Sequence, residues 1–250
     1  MIMTRTRMIR YVWTTTLLLV LGLAVVLQAE ASVVLAGTRV IFNANERETT
    51  VRLSNEGKVP ALTQVWLDKG DPKAAPSEIS VPFTVTPPVS RIDPGKGQTL
   101  RIFYTGEALP RDKESVFWLN VLEIPPEASG EANKLQLAFR TRIKLFFRPA
   151  GLAGTAQDAP AKTEWRLLPG GKQVQVRNPT PYFISFSAFE IEGNGKSVKF
   201  DDGGMVGPGD TQVFALNTAA TPAPGLKVHY HAISDFGGAI DGEAALAVTP

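Results

Sequence analysis

From Ser32 onward the apolar positions come in short bursts, and no stretch shows the spacing of an amphipathic helix. Runs rich in β-branched and aromatic residues alternate with clusters of Gly, Pro, Asn and Asp, the pattern of strands bounded by turns. The first half predicts strands over residues 33–43, 49–54, 61–67, 83–86, 99–104, 115–124 and 134–147. The second half predicts them over 164–168, 173–177, 183–191, 198–200, 211–216, 227–233 and 239–248. About seven short strands per roughly 100 residues read as an immunoglobulin-like sandwich. Residues 149–160 are rich in Ala, Gly and Pro without periodicity, so the joint falls there. The expected fold is all-β: two immunoglobulin-like β-sandwich domains in tandem, 32–149 and 150–250. Trp66, on the third strand, is expected in the first core.

Residues 1–31 follow another pattern. Arg5, Arg7 and Arg10 precede an apolar run from Leu17 to Leu27, and Ala29-Glu30-Ala31 offers small residues at the two positions a signal peptidase reads. This layout predicts a signal peptide cleaved after Ala31. The apolar stretch is slightly short of the roughly 20 residues a spanning helix needs.

Composition removes several function classes. The chain of 250 residues carries 26 basic and 24 acidic side chains, and once 1–31 are set aside the remainder is charge-neutral. A nucleic-acid partner is therefore not expected, since it would call for a basic excess or stripe. There is no Cys, which excludes disulfides, thiolate metal sites and cysteine nucleophiles. Only two His are present, and His229 and His231, two apart on one strand, have no third ligand fixed by spacing. Gly195-Lys196-Ser197 lacks the earlier Gly of a phosphate loop, because position 190 is Glu. Gly95-Lys96-Gly97 is followed by Leu100 where a dinucleotide fingerprint needs Gly. Both read as turns, and Asp201-Asp202 as a solvated pair. No catalytic constellation, cofactor site or metal site is expected, and the chain is not read as an enzyme.

One segment stands out. Across Leu135–Lys144 the odd positions are Leu, Leu, Phe, Thr and Ile, and the even ones Gln, Ala, Arg, Arg and Lys. On a strand these rows face opposite ways, one apolar and one mostly basic. The rows fit a core strand with a wet outer face, or an edge strand whose apolar row is offered to another chain. Periodicity does not choose between them.

The run Thr141-Arg142-Ile143-Lys144-Leu145-Phe146-Phe147-Arg148-Pro149 resembles the signature of the periplasmic pilus (fimbrial) chaperones, as does Thr38-Arg39-Val40-Ile41-Phe42. Further likenesses are Thr86-Pro87-Pro88-Val89, Arg111-Asp112-Lys113-Glu114-Ser115, Asn120 through Glu123-Ile124-Pro125-Pro126, Asn178-Pro179-Thr180-Pro181-Tyr182 and Ser234-Asp235-Phe236-Gly237-Gly238. They fall in order across nearly all of 32–250. The resemblance implies two immunoglobulin-like domains set as a boomerang in the periplasm of a Gram-negative bacterium. It also implies a protein that folds pilus subunits and hands them to an outer-membrane usher. A subunit short of one strand would accept an edge strand lent by the chaperone, a form of β-strand addition. The donor row implied is Leu135, Leu137, Phe139 and Ile143. Arg39 and Lys144 would hold the subunit's C-terminal carboxylate. Glu114, Arg148 and Asp235 would form an ion network between the domains. The short segment 127–134 resembles the short-loop subgroup, and the cysteine pair that some members carry in the second domain is missing. An exposed apolar row also implies self-capping as a homodimer when no subunit is present. The alternative function is a secreted β-sandwich binding module, an adhesin or carbohydrate-binding protein, although no acidic cluster suggests calcium.

Overall fold

The computed structural model describes residues 32–126, 137–193 and 195–248. The export-signal reading of 1–31, the short-loop reading of 127–134 and Leu135 lie outside the described residues.

Nine strands precede the joint: β1 (Val33–Leu35), β2 (Arg39–Asn43), β3 (Glu48–Asn55), β4 (Ala61–Asp68), β5 (Phe83–Thr86), β6 (Val89–Ile92), β7 (Gly97–Tyr104), β8 (Ser115–Ile124) and β9 (Phe139–Arg148). They form two packed sheets, β1-β3-β7-β5 and β2-β9-β8-β4-β6. The stretch expected as one strand over 33–43 is two. β1 pairs with β3 in one sheet and β2 with β9 in the other, and Gly37, at φ 148°, lies where the chain crosses between them. β6 was not expected. It has four residues, pairs with β4 and follows Pro88, so it offers little alternation to read. The Thr86–Pro87 peptide is cis.

Between the sheets lie Phe42, Leu53, Leu100, Ile102, Leu119 and Leu145, all essentially without exposure. Phe42, Phe83, Tyr104, Phe117 and Phe147 cap that core as an aromatic cluster, with ring centroids as close as 4.7 Å. Trp66 is not among them. Val65 and Leu67 take the inward face of β4, so the strand's alternation turns Trp66 to the outer face, where it is half-buried.

The second sandwich comprises β10 (Glu164–Leu167), β11 (Gln173–Arg177), β12 (Ile184–Gly193), β13 (Lys196–Phe200), β14 (Gly204–Val206), β15 (Thr211–Ala215), β16 (Lys227–Ile233) and β17 (Ala239–Val248). Strand order is β13-β12-β16-β17-β10-β11-β15, with the short, unexpected β14 on β12. β17 changes layers. Its first part pairs antiparallel with β16, and Leu246 to Val248 then pair parallel with β10, so one strand joins both sheets. Its core is separate from the first, and Trp165 is the buried indole, packed edge-on to Phe186 and Phe189 at 5.1 Å and donating Nε1–H to Thr163 Oγ1 at 2.8 Å.

Candidate functional site

β9 runs through everything of functional interest. Residues 144–147 have strand neighbours on both sides, β2 in parallel and β8 antiparallel, and Arg148 pairs with Asn43 of β2. Residues 139–143 have β8 alone, and among the described residues no strand pairs with their other edge. A free edge leaves alternate N–H and C=O groups open to another chain.

The odd row changes character along the strand. Ile143, Leu145 and Phe147 are buried in the first core. Phe139 is 40% exposed and Leu137, just before the strand, 54%. Ile143 is therefore a core residue at 9% exposure, which corrects its place in the expected donor row. The register explains why: Ile143 lies opposite Leu119, itself fully buried beneath the facing sheet. Leu137 and Phe139 extend past that cover.

The even row carries the polar chemistry. Lys144 lies directly opposite Arg39 across the parallel β2–β9 pair, so their side chains emerge side by side. Both line an open cleft of about 410 Å³ between the two sandwiches, with Ile233, Gly237 and Gly238 from the second domain. Arg39 Nη1 donates to Ile233 O at 2.9 Å, its Nε is buried without a partner, and its guanidinium lies 5.7 Å from the centre of the Phe146 ring. Lys144 Nζ donates to Ser185 Oγ at 3.2 Å. Among the described residues neither cation has a carboxylate within ion-pair distance. Burial pulls the Lys144 ammonium below its usual range, and the neighbouring Arg39 charge adds to the effect. Burial also lowers Arg39, with Asp235 and Glu114 opposing it more weakly. Two half-buried cations without a counter-ion make a site for an anion.

Next along the even row, Phe146 packs on Phe183 of the second domain at 5.7 Å, and Arg148 joins two carboxylates. Its Nε donates to Glu114 at 2.6 Å, while Nη1 and Nη2 donate to the two Asp235 oxygens at 2.6 and 2.8 Å. Glu114, 3% exposed, also accepts from Phe183 N–H at 2.7 Å, and its own N–H donates to Pro181 O at 2.9 Å. Glu114 and Arg148 belong to the first sandwich and Asp235 to the second, so the network ties one to the other. Burial pushes the Glu114 carboxyl above its usual range despite the opposing Arg148 charge. Burial alone would lower Arg148, but its two carboxylates outweigh that and raise it.

Sequence reasoning missed Asp68, 1% exposed, which accepts from Arg142, Asn120 and the Gly70 N–H on the outer face of the same sheet. It sits two residues after Trp66, and the signal was that shared alternation. His229 is half-buried and His231 exposed, and they pair with Glu192 at 3.1 Å and Asp241 at 2.6 Å. No group of three metal-ligating side chains occurs among the described residues.

The sequence matches two family descriptions. Residues 32–153 match "Pili and flagellar-assembly chaperone, PapD N-terminal domain", and residues 158–244 match "Pili assembly chaperone PapD, C-terminal domain". The chain belongs to the PapD family of pilus-assembly chaperones. The probable fimbrial chaperone YadV of Escherichia coli K12 is 48% identical over 240 residues, 93% of this chain and 97% of YadV. The chaperone FimB/FhaD of Bordetella pertussis is 47% identical over 226 residues, 88% of this chain and 90% of that protein. The crystal structure of YadV superposes with a TM-score of 0.75, covering 86% of this chain and 100% of that one. The Salmonella enterica SafB chaperone, solved in complex with the SafA pilin, is 29% identical with a TM-score of 0.71, covering 88% of this chain and 98% of that one. The PapD-like fold is thus two β-sandwich domains, and the family consists of chaperones of fimbrial assembly, not enzymes. It works in the periplasm of Gram-negative bacteria. Membership sets aside the adhesin or carbohydrate-binding alternative.

Proposed function

We propose that this chaperone is exported by a signal peptide within residues 1–31, binds pilus subunits through donor-strand complementation by β9, and delivers them to an outer-membrane usher. The observation that carries the reading is the exposure of Leu137 and Phe139 at the singly paired end of β9. A subunit short of one strand presents an apolar groove bordered by unpaired backbone groups. The free edge of 139–143 answers the backbone, and Leu137, Phe139 and Leu135 answer the groove. Main-chain bonds tolerate varied sequence, as a chaperone of several subunits requires. Burying a large apolar side chain is worth about 1.5–3 kcal/mol, so three would contribute about 4–8 kcal/mol before the cost of association.

Arg39 and Lys144 supply the register. An incoming strand pairing with 139–143 ends where β2 takes over the edge of β9, beside these two cations. A terminal carboxylate there receives charge-assisted hydrogen bonds from both and relieves the repulsion between them. Glu114, Arg148 and Asp235 hold the second domain at the angle that keeps this cleft open. With no subunit bound, the same apolar edge is capped by a second copy of the chain.

Lys144→Ala tests the anchor. The variant is expected to fold and melt like the parent, yet to lose co-expressed pilin on co-purification, with about 2–5 kcal/mol of complex stability gone. Undiminished pilin retention by a folded Arg39→Ala/Lys144→Ala double variant overturns the assignment.

A further inference from the structure

The outer face of β4, β8 and β9 carries a polar and aromatic cluster that meets the carboxylate cleft only at Trp118 and Arg142, while Asp68, Asn120, Arg140 and Trp66 lie outside it. Its centre is Asp68, at the end of β4. Asn120 Nδ2 donates to Asp68 Oδ2 at 2.7 Å, Arg142 Nε donates to the same oxygen at 3.1 Å, and Arg142 Nη2 donates to Oδ1. The Gly70 N–H donates to Oδ1 at 2.6 Å, closing a turn that fixes the carboxylate from its own strand. Arg140 bonds Asn120 Oδ1 through Nε at 2.9 Å and Nη2 at 2.6 Å, and reaches Pro72 O at 2.7 Å. The two guanidiniums lie over indoles, Arg142 on Trp118 at 4.7 Å and Arg140 on Trp66 at 5.0 Å.

Arg140 and Arg142 both stand on residues 139–143 of β9, the stretch with one strand neighbour. Among the described residues half its backbone groups lack a partner, and of its odd row only Ile143 packs in the core, so little else opposes the entropy of fraying at its outer end. A slip by one residue would turn Leu137 and Phe139 to the wrong face. We infer that Asp68 is a positioning residue, clamping the singly paired half of β9 through Arg142 and, by way of Asn120, Arg140, so that an ordered edge in fixed register meets the subunit. The inference rests on the donor-strand reading. It adds that order in the lent strand is secured beforehand from the opposite face, which reduces the ordering cost of binding.

Amide hydrogen exchange on the free chaperone tests the clamp without any subunit. In Asp68→Asn, amides of 139–143 bonded to β8 are expected to lose at least about tenfold in protection. Those of 144–147 and of the second domain should keep theirs. Capture of a co-expressed pilin should fall about tenfold in rate. Arg142→Gln gives the same local signature and serves if Asp68→Asn does not fold. Unchanged exchange at 139–143, or a uniform rise throughout the molecule, overturns the clamp. Leu137→Glu separates the two ideas: it should abolish capture with exchange at 139–143 intact, and full capture by that variant overturns the donor-strand reading itself.

Discussion

Along β9, residues 144–147 sit between two strands over a closed core, while residues 139–143 have one strand neighbour among the described residues and run out from beneath the facing sheet. The apolar alternation is the same in both halves. Leu145 and Phe147 are buried by it, and Leu137 and Phe139 are presented by it. What separates them is the extent of the other sheet. Burial is decided where the covering layer stops, and a strand longer than its cover leaves apolar side chains exposed. The even row shows the same division of labour. Its distal arginines are tied to Asp68 within the first domain, and its proximal Phe146 and Arg148 are tied to the second.

The strongest way to break this comparison is to place one charge in each half. Leu145→Glu should destabilise the free protein by upwards of about 4 kcal/mol, since a carboxylate enters a site with no exposure and no partner. Leu137→Glu should stay within about 0.5 kcal/mol, as surface changes usually do. Chemical denaturation of both reads the difference. Equal losses would make the odd row one continuous core.

Arg148→Ala comes next. It leaves Glu114 buried with the Phe183 N–H and no cation, which should cost about 3 kcal/mol. Small-angle scattering should show the domains reoriented, because Asp235 loses both its bonds across the joint. An unchanged profile at reduced stability would assign Arg148 to folding alone.

Much of this was legible in the sequence. The strands over Phe83–Thr86, Ser115–Ile124, Gln173–Arg177, Lys227–Ile233 and Ala239–Val248 end where the alternation predicted. The residues implied by resemblance at the cleft and at the joint do come together in space. Three things were not legible, each for want of long-range information. Alternation assigns Ile143 to a face and says nothing of whether a second sheet covers it. Trp66 and Trp165 look alike as aromatic strand positions, yet only pairing and layer order send one outward and one into a core. Asp68 and Arg142 lie 74 positions apart, and their pairing exists only once β8 has set β4 and β9 on either side of it.

The smallest predicted effect separates two buried carboxylates by acidity. Burial raises the Asp68 carboxyl, but the hydrogen bonds from Arg142, Asn120 and Gly70 outweigh it, and the group sits below its ordinary value of 3.8. The unfolded chain then takes up the proton first. The Asp68 contribution is present above about pH 3.8 and is lost as pH falls through the lower folded value. Glu114 runs the other way. Its folded value lies above the ordinary 4.5, so its contribution is full below that pH and is lost as pH rises through the folded value. A tenfold change in a carboxyl's acidity on folding is worth about 1.4 kcal/mol, and each kcal/mol about 2–4 °C in Tm for a chain of this size. Thermal melts from pH 7 to pH 3 should therefore show Asp68→Asn flattening the acid limb below pH 4. Glu114→Gln should leave that limb alone and remove a gain on the approach to 4.5 from above. If Asp68→Asn instead runs parallel to the parent throughout, the carboxylate is not held ionised by its partners, and the distal half of β9 is secured by the stacked indoles rather than by charge.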